Sequence, residues 1–494
     1  MKKVALNSIY GIRNDKTCSF IYTINTSFDT LTMKLPKALE VPSLYGYILS
    51  YFQNPCYTEE AITKISKDSN IKEEVIFKFI DQIIDRKNAL KIYYNNEIFI
   101  LPPNLLVTDF DLSHKANVFT EKDFNPKTKF IKSRPSSPAK VTIMLTTKCN
   151  TDCIYCYADR TEKIDFELEK ILSLIKDCYS NGVLNINLSG GDIFAYKDWR
   201  TVIKTMHDYN YISLISTKIP LTKNDLIFLK ENGIKELQFS LDSAFKREIS
   251  TLIKREDSYI EKVKNMLSAC KELKLRVNIR TVLTKFNSKE DTLQSLYNLI
   301  SDYQVYSWTI VPASYSYYKE GYKNYQADYK TIRQCYDYIN QLSLQSDIKI
   351  STNKLEKGEK INIKYTNIED FLNQNKGCFI TSHYLSINVY GQVTLCEMLY
   401  NRSKYHLGNA KEQTIKELWN SDLVRDFFNF KLHSMPKNPE SPCYQCNSYS
   451  RCKIGNSKKV CLVDIVNAYG EDKWDYPDPR CPHASKYDMD LLIK

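Results

Sequence analysis

Three cysteines stand close together in the stretch TTKCNTDCIYCYADR, residues 146–160: Cys149, Cys153 and Cys156. Structural zinc is usually closed by four ligands, often as two Cys-x2-Cys-type pairs. Most iron–sulfur clusters also take four cysteines, and a disulfide uses two and leaves one over. Three thiolates on a cluster leave one iron open to a further ligand, which is what a site that binds and activates a small molecule needs. The bland readings are half of a zinc site or a chance group. The spacing leans toward the cluster, and the surrounding elements have to decide.

From 140 to about 350 strand-like runs alternate with helical ones. The strands are VTIMLT, LNINLS, YISLIS, ELQFSL, RVNIRTVL and YSWTIVPA. Between them lie helices such as FELEKILSLIKDCY, stopped by Asn181–Gly182, and YIEKVKNMLSACKEL. This alternation predicts an α/β fold with a parallel sheet covered by helices. In such folds ligands gather at the carboxyl ends of strands, and the three cysteines directly follow the first strand. The second strand ends in LSGGD, where Gly190 and Gly191 let a backbone approach a ligand and Asp192 can accept from an ammonium group. Read alone, a pair of glycines is a turn. Cys178, Cys270 and Cys335 fall in step with Leu174, Met266 and Ile332 on apolar helix stripes, so core packing is expected for them. Cys18 and Cys56 take the same default.

Residues 1–105 form a different module. CSFIYTINTSF alternates as a small hairpin does. Three helical patterns follow: PSLYGYILSYFQ, TEEAITKISKDS with Thr58 as its N-cap, and KEEVIFKFIDQIIDR. The last aligns Val75, Ile76, Phe79, Ile80, Ile83 and Ile84 on one stripe. KIYYNNEIFILP then turns at Asn95–Asn96. Strands, helices and a terminal hairpin in this order make a winged helix-turn-helix, which can bind DNA or capture an extended peptide on a strand edge. Residues 106–139, containing NPKTKFIKSRPSSPAK, read as linker.

At 494 residues the chain is long enough for two to four domains. Its start lacks an apolar export segment, and no run approaches the ~18–20 apolar residues of a membrane span. A cytoplasmic protein keeps its thiols reduced, so fifteen cysteines point to metal rather than disulfides. The net charge of +11 reads first as a lysine-rich solvated surface, and it also suits an acidic peptide, a nucleic acid or an anionic cofactor.

The pattern Cys-x3-Cys-x-aromatic-Cys, with Tyr155 as the aromatic residue, resembles the signature of the radical S-adenosylmethionine (SAM) enzymes. The resemblance implies a partial (β/α)6 TIM-like barrel over 140–350 and a [4Fe–4S] cluster on Cys149, Cys153 and Cys156. It implies that the methionine end of SAM chelates the open iron. One electron from the cluster then yields a 5′-deoxyadenosyl radical that abstracts a substrate hydrogen. Gly190, Gly191 and Asp192 resemble the family's GGE-type turn, with Asp for the commoner Glu. STKIPL, beginning at Ser216, resembles a third-strand segment that is often Thr-Asn-Gly in relatives; Lys218 and Ile219 depart from it. FSLDS brings Ser240 and Asp242 toward the cofactor or a neighbouring helix, and Arg280 either meets the methionine carboxylate or is a solvent-facing or ion-paired arginine.

Seven cysteines follow at Cys378, Cys396, Cys443, Cys446, Cys452, Cys461 and Cys481. On spacing alone they suit zinc. The link HLGNAKEQTIKELWNS resembles the SPASM extension of radical enzymes, which implies auxiliary [4Fe–4S] clusters, two of them, in 351–494. By this resemblance Cys443, Cys446, Cys452 and Cys481 close one cluster, leaving Cys378, Cys396 and Cys461 for the other. The eight residues between Cys452 and Cys461 depart from the shorter family spacing. His383 is either a fourth ligand or an ordinary surface histidine, the latter expected. A vacant iron there could hold a substrate thiolate for thioether formation. Winged-helix modules fused to such enzymes resemble the leader-binding elements of ribosomal peptide modifiers. The expected function is therefore a cytoplasmic radical SAM maturase of a ribosomally made precursor peptide, forming a thioether or other crosslink. Its partners would be the precursor with its leader and a flavodoxin- or ferredoxin-like electron donor, with neither membrane nor nucleic acid. The alternatives are a maturase of a folded enzyme, as in sulfatase formylglycine formation, and a zinc-bearing winged-helix protein on nucleic acid.

Overall fold

A computed structural model describes residues 2–24, 38–110, 119–156, 158, 161–255, 258–313, 324–352, 364–375, 378, 382–400, 402–429, 438–454 and 458–485. The chain divides into two compact units. The first comprises Met1–Val141, Ile175–Ile186 and Met206–Ser213, and the second the remainder.

The first unit holds β1 (Lys3–Leu6), β2 (Tyr10–Asn14), β3 (Ser19–Thr23), β4 (Ala38–Val41), β5 (Cys56–Tyr57), β6 (Leu90–Tyr94), β7 (Glu97–Leu101) and β8 (Leu106–Val107). β2, β3 and β4 form an antiparallel sheet, β6 and β7 a hairpin, and β1 lies between β5 and β8. Helices Ser43–Ser50, Thr58–Ser69 and Glu73–Ile83 fall where the apolar patterns put them. Asn95 and Asn96 both have positive φ, 47° and 64°, as a two-residue turn between twisted strands requires. The tail of the first expected hairpin, beyond Ile24, lies outside the described residues, as do positions 111–118 of the expected linker.

Three expectations need correction. Thr58 does not cap its helix; it is the first helical residue, and its N–H and hydroxyl both donate to the Lys2 carbonyl because β5 is paired to β1. Val75 is 57% exposed, since the buried face of its helix runs through Ile76, Ile80 and Ile83 and Val75 sits one residue, about 100°, off that line. The 106–139 stretch, where described, is not a free linker. Arg13 Nη1 donates to the carbonyls of Ser137 (2.8 Å) and Pro138 (3.2 Å), and Asp15 accepts from the Ser136 N–H (2.8 Å). The Arg13 and Asp15 side chains are both 2% exposed, so the stretch is tied to the unit by a buried ion pair.

From residue 140 strands and helices alternate through β9 (Lys140–Thr146), β10 (Asn185–Gly190), β11 (Ile215–Thr217), β12 (Glu236–Ser240), β13 (Arg276–Leu283), β14 (Ser307–Pro312) and β15 (Lys349–Thr352). β11 to β15 form one parallel sheet in sequence order. β15 adds a strand beyond the six expected. Cys178, Cys270 and Cys335 are buried, as is Cys18, while Cys56 is half-buried.

The register sorts this sheet's two faces. Thr217, Phe239, Ile279, Trp308 and Ile350 share one rung, and Phe239, Ile279 and Trp308 are fully buried. On the opposite face Ser216, Gln238, Asn278, Ser307 and Lys349 make one rung, and Ser240, Arg280, Thr309 and Ser351 the next. Side chains alternate along a strand, so the sheet has one apolar face and one polar face. The polar face opens to solvent at Ser216 and Arg280.

The C-terminal part contributes β16 (Tyr384–Ile387), β17 (Gln392–Thr394) and β18 (His406–Asn409). They extend the sheet that holds β9, in the order β10-β9-β16-β17-β18. Among the described residues no helix is long and apolar enough to cross a membrane.

Candidate active site

The cysteine loop leaves β9 at Thr146 and is held by backbone it did not advertise in sequence. Helix Lys246–Ile253 ends beside it, and the Leu252 and Ile253 carbonyls accept from the N–H groups of Ile154 and Asp152, each at 3.0 Å. A helix leaves its last carbonyls without intrahelical donors, and here the loop supplies them. Arg255 Nη1 adds a bond to the Asn150 carbonyl at 2.8 Å. On the other side Thr147 Oγ1 donates to the Glu162 carbonyl at 2.6 Å.

Within the loop the Thr151 hydroxyl stands between two sulfurs, 3.2 Å from Cys149 Sγ and 3.5 Å from Cys153 Sγ. Cys153 is 8% exposed. Burial pushes its thiol up to about 11, and Lys218 pulls it back down. Among the described residues no three His, Cys, Asp or Glu side chains converge on a single metal ion. Three thiols carried on one loop are the donor type that an iron–sulfur cluster takes.

Gly190 and Gly191 approach the backbone of the cysteine loop itself. The Gly191 N–H donates to the Thr146 carbonyl at 2.7 Å and the Asp192 N–H to the Lys148 carbonyl at 2.9 Å. A Cβ on Gly190 would stand 2.4 Å from the Thr146 oxygen, and one on Gly191 2.2 Å from the Lys148 oxygen. Asp192 is 5% exposed, and its carboxylate accepts from the N–H groups of Phe194 (3.1 Å) and Lys218 (3.0 Å) and from Thr217 Oγ1 (2.8 Å). It joins the ends of β10 and β11. Burial raises its pKa and these donors oppose the rise.

Asp242 is likewise engaged within the chain. Its side chain is fully buried and accepts from Lys218 Nζ at 2.6 Å, from the Tyr155 hydroxyl, and from the Val282 N–H at 3.0 Å. Lys218 Nζ also donates to the Tyr155 oxygen at 2.7 Å. Burial, followed by Asp242, keeps the Tyr155 phenol protonated, so it can act as donor and acceptor at once. Ser216, Ser240 and Arg280 are placed differently. They lie on adjacent rungs of the polar face, with Ser216 accepting from Gln238 Nε2 at 2.7 Å. The structure thus brings Tyr155, Asp192 and Asp242 into one buried network around Lys218, and Ser216, Ser240 and Arg280 onto an accessible wall. Sequence reasoning marked Lys218 only as a departure; Thr151 and Tyr259, whose hydroxyl donates to the Lys218 carbonyl at 2.9 Å, carried no signal.

In the C-terminal region Cys378 and Lys458 exchange backbone hydrogen bonds of 2.6 and 3.0 Å, which sets Cys378 near Cys461. Asp478 accepts from the Cys461 N–H at 2.9 Å and is gripped by Arg480 Nε and Nη2 at 2.8 and 2.7 Å. The Cys481 N–H donates to the Asp478 carbonyl, and that of Cys446 to the Cys443 carbonyl. Burial pushes Cys481 up to about 11, with Cys443 and Cys446 adding to the rise; burial also raises Cys452, with Cys443 and Cys481 adding. Lys453, fully buried, donates to the Tyr476 carbonyl at 2.6 Å; burial lowers its pKa against the pull of Cys443 and Cys452. His383 is 1% exposed, which corrects the expectation of a surface histidine: it precedes β16, in the packed sheet that continues from β9. Cys396 is partly buried just after β17.

Residues 143–296 match the family model of the Radical SAM superfamily, and residues 378–447 match SPASM, an iron–sulfur cluster-binding domain. GTP 3′,8-cyclase of Clostridium perfringens (strain SM101 / Type A) is 31% identical over 162 residues, 31% of this chain and 48% of that one. The chain thus spans about half the length of the curated relatives it matches. The crystal structure of Streptococcus suis SuiB bound to S-adenosylmethionine covers 97% of this chain and 99% of that one, at 14% identity and TM-score 0.61. SuiB bound to precursor peptide SuiA has the same coverage, 16% identity and TM-score 0.62. These two likenesses are likenesses of fold.

Proposed function

We propose that this radical SAM enzyme with a SPASM domain is a maturase that modifies a ribosomally made precursor peptide. The observation that carries the reading is the joining of three parts in one chain: the cysteine loop on its α/β sheet, the cysteine-rich C-terminal region, and an N-terminal stretch of strands and helices that makes up most of the first unit. The last part is what an enzyme acting on a small nucleotide would not need. The fold likeness to SuiB, a protein crystallised with a precursor peptide, extends over all three parts and supports the same substrate class. A folded-enzyme substrate gives no reason for the first unit, and a zinc protein gives none for a three-cysteine loop at the carboxyl end of a strand in an α/β sheet.

S-adenosylmethionine, held at the open iron, would supply hydrogen abstraction by a radical cleaved from it. This chain's own residues do the rest. Cys149, Cys153 and Cys156 would hold the cluster, and Gly190, Gly191 and Asp192 brace the loop that carries them. Ser216, Ser240 and Arg280 line the polar face where a cofactor with ribose hydroxyls and a carboxylate finds donors and acceptors. Cys443, Cys446, Cys452 and Cys481 would form one auxiliary site, with Cys446 tied to Cys443 by a backbone hydrogen bond. Cys378, Cys396 and Cys461 would hold a second, with His383 buried in the same region. In the first unit we read the β2-β3-β4 sheet, the three helices and the β6–β7 hairpin as a winged-helix peptide-binding module. Electrons would come from a flavodoxin- or ferredoxin-like donor in the cytoplasm, where fifteen thiols stay reduced.

The test is anaerobic incubation of the purified chain with S-adenosylmethionine, reductant and candidate precursor peptides encoded beside its gene. A peptide mass change with matched 5′-deoxyadenosine release is expected. A colourless preparation with zinc in place of iron, or cofactor cleavage with modification only of a folded protein, would overturn the reading.

A further inference from the structure

Lys218 has more partners than a strand-end lysine needs. Its backbone N–H donates to Asp192, its carbonyl accepts from Tyr259, and its ammonium donates to Asp242 and Tyr155. The side chain is only 11% exposed, and Nζ lies 5.4 Å from the centre of the Tyr155 ring. Tyr155 is itself in the cysteine loop, between Cys153 and Cys156. Burial works against the ammonium's charge, and the Asp242 carboxylate at 2.6 Å keeps the group cationic. A surface salt bridge would place such a charge in water, where it acts on little. Here it is locked in a buried network and hydrogen-bonded to a tyrosine of the cysteine loop itself.

We propose that Lys218 is a fixed cation that raises the reduction potential of the cluster carried by Cys149, Cys153 and Cys156, and that through Asp242 it fixes Tyr155 of the loop. The inference rests on the reading of these cysteines as cluster ligands. On reduction the cluster takes one electron from a low-potential one-electron donor and becomes one unit more negative. A nearby fixed positive charge favours the reduced form, and hydrogen bonding and charge around the sulfurs are the levers a protein has on this potential. Lys218 is thus a positioning residue whose effect is on electron uptake.

The experiment is a redox titration of the anaerobic full-length chain with dithionite, followed by electron paramagnetic resonance of the signal that S-adenosylmethionine perturbs. Lys218→Met should lower the reduction equilibrium constant by at least about tenfold, a shift of about 59 mV for a one-electron couple. Lys218→Arg should stay within about threefold of the wild type. The double variant Lys218→Met/Asp242→Asn removes both charges, avoids a buried unpaired carboxylate, and should shift in the same direction by less. Lys218→Met and the double variant both titrating with the wild type, iron intact, would overturn the proposal. So would loss of this iron in both while the C-terminal iron remains, because Lys218 would then be only a structural tie. A wild-type chain with no signal that responds to the cofactor would instead bring down the cluster reading itself.

Discussion

Gly191→Ala tests whether the glycine turn exists to seat the cysteine loop. The added Cβ would stand 2.2 Å from the Lys148 carbonyl oxygen and 2.7 Å from that of Thr147, both backbone atoms that no rotamer change can move. Either β10 or the loop must shift. The shift endangers two hydrogen bonds, Gly191 N–H to Thr146 and Asp192 N–H to Lys148, each worth about 1 kcal/mol net. Overpacking of this kind adds roughly 1–3 kcal/mol. The sum is about 3–5 kcal/mol, and in a unit of more than 300 residues each kcal/mol moves the midpoint by roughly 1.5 °C. The apparent melting midpoint should therefore fall by about 4 °C or more at a fixed scan rate. Because the strain falls on the residues just before Cys149, iron at the three-cysteine site should fall too, with the C-terminal iron retained. Iron analysis beside the Cys149/Cys153/Cys156→Ala chain separates the two pools. A Gly191→Ala protein with wild-type midpoint and full iron would refute the reasoning, since the overlap would then have cost nothing.

Three further outcomes are expected. The Cys149/Cys153/Cys156→Ala chain should release no 5′-deoxyadenosine above background, measured by chromatography, while its C-terminal iron persists; undiminished release would remove the cluster from this loop. Arg13→Met leaves Asp15 buried without its cation, and breaking a buried pair costs about 3–5 kcal/mol, so thermal or denaturant unfolding of the first unit should come markedly earlier. Tyr93, Ile98 and Ile100 are 72%, 58% and 51% exposed on the outer face of the β6–β7 hairpin. Ile98→Asp should change stability by no more than about 0.5 kcal/mol, yet weaken modification of the precursor at sub-saturating concentration; unchanged modification in a titration against peptide would free this face of the binding role.

What the sequence disclosed, and what it withheld, follows from the range of the interactions. Hydrophobic periodicity is local, so the three helices of the first unit and the strands at residues 140–312 were legible. So was the turn at Asn95–Asn96, because two adjacent residues fix its chemistry. Val75 was misplaced because a stripe of several apolar residues is wider than the face a helix buries. The clamp on 133–139 was invisible because Arg13 lies more than a hundred residues away in sequence and a Pro-, Lys- and Ser-rich stretch looks the same free or held. The cysteines announced themselves by type and spacing. Their supports did not: the Leu252 and Ile253 carbonyls are backbone and carry no residue signature. Lys218 was visible only against the family pattern the strand resembles, as a residue out of place, and its meaning needed Asp242 and Tyr155 beside it.

The pairing of β16 next to β9 alters how the C-terminal region should be regarded. In sequence it is a separate cysteine-rich tail, divided from the three-cysteine loop by more than two hundred residues. In the fold its first strand lies against the strand that feeds that loop. Val389 and Tyr400 pack in one buried cluster with Met144 and Ala158, and Cys156 and Tyr390 pack against it. The Tyr390 hydroxyl donates to Glu162, just past the loop, at 2.5 Å. Cys156 thus rests on side chains from the C-terminal region. A packed interface transmits displacement rather than absorbing it, so a change at β16 or β17 reaches Cys156 directly. The two regions are therefore better treated as one cooperative body. Removing residues 378–494 would not yield a smaller working enzyme; it would strip β9 of its neighbour and expose the apolar side of the cysteine loop.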